Sequence, residues 1–273
     1  MTRANEGGAL AVYAANVEEV RVLVGKAKPA VEKFVGKEIA ERFMRAAVSH
    51  YIHAEKPQAM HAVNPKFYIA AVLDAAMDGL TPDGRDGWII PYGETCHWHP
   101  SWRGLLKLAR RATTLRDVSA EVVYEGDQFH LRLGSDRAIE HVPYYAIGLS
   151  ERDRGPIIGA YAGCRVAPSW TYEFRFVDRA RLDVVASMSG NPSNDTPSPV
   201  WNKHFAQQAM KHCFRKLCDW IEMPDKVLDV LAREDERHRA RVAQVEPDAP
   251  RPKNGTSLAD DIRGAAAITD GGT

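Results

Sequence analysis

The sequence predicts an α+β fold. Three observations carry that expectation. Apolar residues recur at helical spacing in two stretches before residue 80, strand-like segments separated by turn residues fill 115–177, and amphipathic helical patterns cover 101–112 and 201–221. Composition alone does not say how these elements pack.

In chain order, residues 1–28 read as a mobile N-terminal arm with room for a short helix. Pro29 can open a helix, in which Val31, Phe34, Val35, Ile39 and Phe43 recur at helical spacing towards His53, until Pro57 breaks the pattern. Asn64 and Pro65 form an N-cap with proline at the first helical position. The mostly apolar segment 67–77 follows and Gly79 closes it. Residues 81–87, with two glycines and a proline, read as loop.

The stretch 88–116 carries the most chemistry. An apolar run, 88–91, leads to a Tyr92-Gly93 turn and a short strand over 95–99. Ser101 then caps a helix whose apolar side holds Leu105, Leu108, Ala109 and Ala112. Its other side holds Arg103, Lys107, Arg110 and Arg111, and no Asp or Glu occurs from Thr95 to Arg116. A plain solvated face is one reading of such a stripe. The other is a phosphate-binding helix, because cations without intervening carboxylates attract a polyanion and release its counterions. Tyr92, Trp98 and Trp102 lie close by, either as core residues or as a platform on which bases stack.

Strands are expected at 115–124, 129–133, 157–166 and 171–177. Turns are expected at Gly126-Asp127, at Gly134 between Arg132 and Arg137, and at Pro168-Ser169. Asp178 caps a helix to about Met188, and 187–199 is a Ser-, Asn- and Pro-rich loop. Residues 201–221 read as one long helix. Met210, Phe214, Leu217 and Ile221 form its apolar face, Lys203, Lys211 and Arg215 gather on another side, and Lys216 lies next to them. No carboxylate interrupts this run before Asp219. The charge then inverts, with Asp219, Glu222, Asp225, Asp229, Glu234, Asp235 and Glu236 in close succession. Beyond Glu246 the composition is that of a linker, with a short helix possible over 258–268. The domain reading is an arm over 1–28, a core over 29–225 and an acidic, linker-like region over 226–273, so that a folded core carries flexible extensions at both ends.

Thirty-six basic and 36 acidic residues balance to zero formal charge, which argues against a histone-like coat but leaves room for a local basic groove. Neither a signal peptide nor a membrane span is expected, and four scattered cysteines suit a reducing cytoplasm. The two Gly-Lys pairs, at 25–26 and 36–37, are followed by Ala27 and Glu38, so no phosphate loop of the Gly-Lys-Ser/Thr kind is present. Cys96, His97 and His99 lack a second ligand pair at finger-like spacing, so surface histidines are the expected reading. Asp74, Asp78, Asp83 and Asp86 are the carboxylates a metal-dependent nuclease would have to use, and simple solvation is the alternative.

Several segments, in order, resemble the RecT family of phage single-strand annealing proteins. They are Ala75-Ala76-Met77-Asp78-Gly79-Leu80-Thr81-Pro82, Ile90-Pro91-Tyr92-Gly93, Trp102-Arg103-Gly104-Leu105-Leu106-Lys107-Leu108-Ala109-Arg110-Arg111, Val123-Tyr124-Glu125-Gly126-Asp127-Gln128-Phe129, Ile158-Gly159-Ala160-Tyr161-Ala162 and Met210-Lys211-His212-Cys213-Phe214-Arg215-Lys216-Leu217. The chain departs from the family at Ser101-Trp102, where Gly-Tyr is usual, and at His212, where Thr is usual.

The resemblance implies a small antiparallel sheet packed by the Ser101 helix and the Trp201 helix. It also implies an ATP-independent activity, the annealing of single-stranded DNA into duplex for recombination, by a homo-oligomer in rings or helical filaments. Such a protein is not an enzyme and needs no cofactor, with Mg²⁺ at most modulating annealing. Its DNA-binding residues would be Arg103, Lys107, Arg110, Arg111, Lys203, Lys211, Arg215, Lys216, Tyr92 and Trp102. Its C-terminal part would meet a host single-strand DNA-binding protein or a companion exonuclease in a bacterial cytoplasm. The alternatives are a metal-dependent nuclease and a single-strand binding protein that coats without annealing.

Overall fold

The computed structural model describes residues 3–189 and 197–245. The first helices are α1 (Arg3–Val35), α2 (Lys37–Ile52), α3 (Pro57–His61) and α4 (Pro65–Asp78). The arm expected over 1–28 is instead most of α1, which places Val20, Val24 and Val31 in the core and packs on α2 and α4. Val17, Val20, Val24, Val31 and Val35 keep helical phase across Pro29, so burial carries the helix through the proline despite the hydrogen bond lost there. The break falls at Gly36, whose φ of 82° and ψ of 156° suit glycine alone. In α2, Ala40, Phe43, Ala47 and Tyr51 are buried, and the Tyr68 hydroxyl of α4 donates to the Ala47 carbonyl at 2.6 Å.

Helix α4 is capped as the sequence indicates. Asn64 accepts from the Lys66 amide at 3.0 Å, and Gly79, at φ 70°, ends the helix in the left-handed region. The hairpin β1 (Gly87–Tyr92) and β2 (Thr95–Pro100) follows, and α5 (Trp102–Ala109) begins at Ser101, whose hydroxyl oxygen accepts from the Gly104 amide at 3.0 Å. Gly104 is needed here, since a Cβ would lie 2.2 Å from the Asp86 carbonyl.

The central sheet is antiparallel, in the order β3 (Leu115–Tyr124), β6 (Ile157–Val166), β7 (Thr171–Asp178). Between β3 and β6 the chain forms a second hairpin, β4 (Gln128–Arg132) with β5 (Ala138–Val142), and a 3₁₀ turn at Tyr144–Ile147. Phe129 of β4 stacks on Tyr161 and Phe176 of the sheet at 6.1 and 5.2 Å between centroids. Asp127 fixes the hairpin's base by accepting from the Tyr124 and Tyr144 amides, each at 2.7 Å, and by pairing with His141 at 3.0 Å.

After β7 come α6 (Arg179–Met188), capped by Asp178, then α7 (Pro199–Lys203), α8 (Phe205–Cys218) and α9 (Asp225–Val245). The helix expected over 201–221 is therefore interrupted at His204 and ends at Cys218. Helix α8 packs on all three strands of the sheet and on α5, which is the small-sheet core the resemblance implied.

The expected core ends at 225; among the described residues Val227, Val230 and Leu231 of α9, beyond that bound, are also buried, and the residues to Glu234 fall in one compact unit. Residues 190–196 of the expected loop and the expected helix at 258–268 lie outside the described residues. Among the described residues, no helix is long and apolar enough to cross a membrane.

Candidate nucleic-acid interface

Helix α5 turns Leu105, Leu106, Leu108 and Ala109 inward and leaves Arg103 and Lys107 exposed. Lys107 is not without counter-charge. Its ammonium donates to the buried carboxylate of Asp86, which the preceding loop brings beneath the helix. Arg110 is also engaged, since Nε and Nη2 donate to the Val118 carbonyl at 3.0 and 2.7 Å and tie the helix end to β3. Arg111 reaches towards Gly79 at the C-terminus of α4, where the last carbonyls favour a cation. Arg103 lies 5.2 Å over the half-buried Trp102 ring. Among the described residues, Arg103, Arg110 and Arg111 have no carboxylate in ion-pair range, and Arg110 is committed to the Val118 carbonyl.

The second cationic helix is neutralised further. Lys211 of α8 donates to the Pro100 carbonyl at 2.8 Å and to Glu234, and Arg215 donates to the other oxygen of Glu234 at 3.2 Å. All three side chains are less than a third exposed. One carboxylate, Glu234, thus serves both cations, and it arrives from α9 and not from within α8. Lys203 of α7 pairs with Glu55, and Lys216 lies 3.5 Å from Asp219 on the surface. Of the ten sequence-predicted site residues, Lys107, Lys203, Lys211, Arg215 and Lys216 each have a carboxylate within ion-pair range.

Tyr92 stands at the end of β1. Its ring packs between those of His97 and His99, and its hydroxyl lies 3.2 Å from His99 Nε2. Cys96 alternates inward on β2, and burial pushes its thiol up to about 12, which disfavours a metal-binding thiolate. The acidic quartet is likewise dispersed in role. Asp78 is fully buried, accepting from the Trp98 indole at 2.9 Å and from two guanidinium nitrogens of Arg233 at 3.0 and 2.7 Å. Asp83 accepts from the Arg85 and Asp86 amides, and Asp86 accepts from the Thr81 amide and Lys107. Among the described residues no group of three or more His, Cys, Asp or Glu side chains is arranged to hold a metal.

Sequence reasoning missed a different set, guanidinium planes laid on aromatic rings around the central sheet. At one end, where β3 starts, β6 stops and β7 starts, Arg116 lies 3.9 Å over Trp170 and Arg165 lies 6.0 Å over Tyr172. Arg165 also donates to the Trp170 carbonyl at 3.2 Å and pairs with Asp117 at 3.2 Å. At the β7 edge Trp220, 55% exposed, has Arg175 at 3.6 Å and Arg137 at 5.7 Å from its ring. At the far end Arg154 covers Tyr124 at 4.5 Å and Arg179 covers Phe205 at 4.3 Å. The signal was present in the strand register, which sets Arg116, Arg165 and Tyr172 side by side. Cations held against rings can grip phosphates and stack bases together, which is the chemistry of single-strand binding.

Comparison with known proteins gives the same direction. The model of the RecT family matches residues 41–250. The Protein RecT of Escherichia coli (strain K12) is 25% identical over 206 residues, covering 72% of this chain and 71% of that protein.

Proposed function

The chain belongs to the RecT family, and from that premise we propose that it is an ATP-independent annealing protein that binds single-stranded DNA as an oligomer and pairs complementary strands. Family membership supports the coarser statement, a recombination-related single-strand annealing protein, and the match over residues 41–250 carries it. The finer reading draws on geometry. Arg103 and Arg111, with Trp102, are the members of the first stripe best placed for phosphate and base. The guanidinium and ring pairs at the Trp170 end of the sheet extend the same chemistry. Lys211 and Arg215 we assign to holding α9 through Glu234 rather than to a strand.

Base pairing, not the protein, supplies sequence in this scheme, so the surface need only hold phosphates and leave base edges open. Assembly into rings or filaments, Mg²⁺ as a modulator, a cytoplasmic place of action and recruitment of a host single-strand binding protein or an exonuclease through the C-terminal region belong to the same proposal. The test is one assay. Labelled complementary oligonucleotides are mixed with the purified chain, with and without Mg²⁺ and without nucleotide. Duplex formation in the absence of ATP is expected. Loss of label with Mg²⁺ would mark a nuclease, and strand binding without duplex would mark a coating protein. Electron microscopy after adding the two strands in sequence reads the assembly.

A further inference from the structure

We propose that the cavity at the far end of the central sheet is a pocket for one nucleotide of the bound strand, a reading that rests on the single-strand binding proposed above. The cavity holds about 380 Å³, within the range of small-ligand sites, and opens where β3 ends and β6 begins, against α6, α7 and the start of α8. Its floor is apolar, with Pro156, Ile157 and Ala186, and the buried Trp201 ring stands edge-on to Phe205 at 5.5 Å.

Two walls are guanidinium planes. Arg154 lies over Tyr124 and Arg179 over Phe205, so in each case one face of the cation is seated on a ring. The opposite face of each is where a base would stack, since bases stack on arginine planes as they do on aromatic rings. The N–H edges retain donors for phosphate. Arg154 bonds the Tyr124 hydroxyl at 3.3 Å, Glu151 at 3.3 Å and Tyr144, and Arg179 bonds Asp183 at 2.8 Å and the Ile157 carbonyl at 3.4 Å, whereas each guanidinium carries five N–H groups. Asp183, the one carboxylate in the lining, pairs with Arg179, and Glu151 pairs with Arg154 from outside it, so a phosphodiester would share each guanidinium with one exposed carboxylate. Asn202 adds an amide at the rim for a base edge. Flat, charged walls over an apolar floor match a base carrying a phosphate better than they match an aliphatic ligand.

The experiment uses the full chain and oligonucleotides bearing 2-aminopurine at the 5′ end or at interior positions. Strand binding should change 2-aminopurine emission in the parent. In the Arg154→Ala, Arg179→Ala protein that change should vanish and affinity should fall roughly 5- to 150-fold, the range for losing one stacked base. The Arg154→Lys, Arg179→Lys protein should keep the parent's salt slope yet still lose the emission change, because lysine keeps the charge and not the plane. Both ion pairs are surface pairs, and circular dichroism checks that the variants stay folded.

A response confined to the 5′ label identifies a strand terminus as the source, and a response at interior labels identifies a base turned out of the strand; either supports the pocket. Unchanged emission and affinity in the double alanine protein overturn it and leave annealing untouched. A salt slope that falls while emission persists also overturns it, reducing both arginines to phosphate contacts. If the parent binds no strand, the annealing reading has failed. Titration with dAMP then decides the pocket, with saturable quenching of tryptophan emission supporting it. No quenching overturns it, as does quenching by an acidic aromatic peptide alone.

Discussion

Replacing Arg233 by alanine withdraws two N–H donors and the positive charge from Asp78 Oδ1, which they reach at 3.0 and 2.7 Å. Asp78 is fully buried between α4 and β2, with Oδ2 committed to the Trp98 indole at 2.9 Å. Breaking a buried ion pair on one side costs about 3–5 kcal/mol, because the remaining charge stays out of water without its counter-charge. Arg233 itself is 29% exposed, so water reaches part of the site and the lower end, about 3 kcal/mol, is expected. For a domain of this size that lowers Tm by about 6–12 °C, measured by circular dichroism. Arg233→Lys, which keeps the charge and not the fork, should fall between variant and parent. Adding Asp78→Asn to Arg233→Ala should recover part of the loss, since the amide oxygen can still accept from Trp98 and no charge is stranded. An Arg233→Ala protein melting within about 2 °C of the parent, at most about 1 kcal/mol, would refute the assignment of Asp78 as a charged anchor.

Three further outcomes are expected. Arg103→Glu and Arg111→Glu should weaken strand binding equally on all sequences and lower the salt slope by about one per lost phosphate contact. Unchanged binding in both would make the stripe a solvated face. Burial lowers the His50 pKa to about 4, below its unfolded value of about 6.5, while neutral Nε2 accepts from the Ile89 amide at 3.3 Å. Its contribution is therefore complete above pH 6.5 and is lost as pH falls towards 4, by about 3 kcal/mol. His61 and His212 shift in the same direction, so the His50 share is the difference between parent and His50→Gln in denaturant melts at pH 7.5 and 4.5. Ending the chain after Val245 should leave thermal stability unchanged. Ending it after Pro224 should prevent folding, because Val227, Val230 and Leu231 alone contribute about 1.5–3 kcal/mol each; a folded 1–224 chain would contradict the placement of α9 in the core.

Local structure was legible where local chemistry decides it. The strands at 115–124 and 157–166, the Asn64 and Gly79 caps and the Ser101 cap are set by residues within a few positions of one another. The strand at Ala138–Val142 escaped notice because the polar pair Glu140 and His141 interrupts its short apolar pattern beside a turn. The interruption at His204 has no marker, neither glycine nor proline, and α1 was hidden by a proline whose usual meaning is a helix start. The charge pattern misled for a different reason. Reading α5 and α8 along the chain shows no carboxylate, yet Asp86 lies 21 residues before Lys107 and Glu234 lies 23 residues after Lys211. Neutralisation is a property of packing, which a wheel drawn for one helix cannot contain. The guanidinium and ring pairs were missed likewise, since Arg116 and Trp170 meet only through strand register.

The ion pair between Asp78 and Arg233 joins positions 155 residues apart, and Lys226 reaches the Met77 carbonyl across 149. On a ribosome that spacing becomes a matter of timing. Helix α4, with Tyr68, Val72 and Ala75 on its buried side, emerges long before the segment that supplies its counter-charge. Until Arg233 clears the exit tunnel, Asp78 lacks the two guanidinium donors that its final seat supplies, so burying it is less favourable than in the finished fold. Closure of the core around α4 is therefore favoured most once α9 exists, and until then an incompletely seated apolar face is the kind of surface that calls for chaperones.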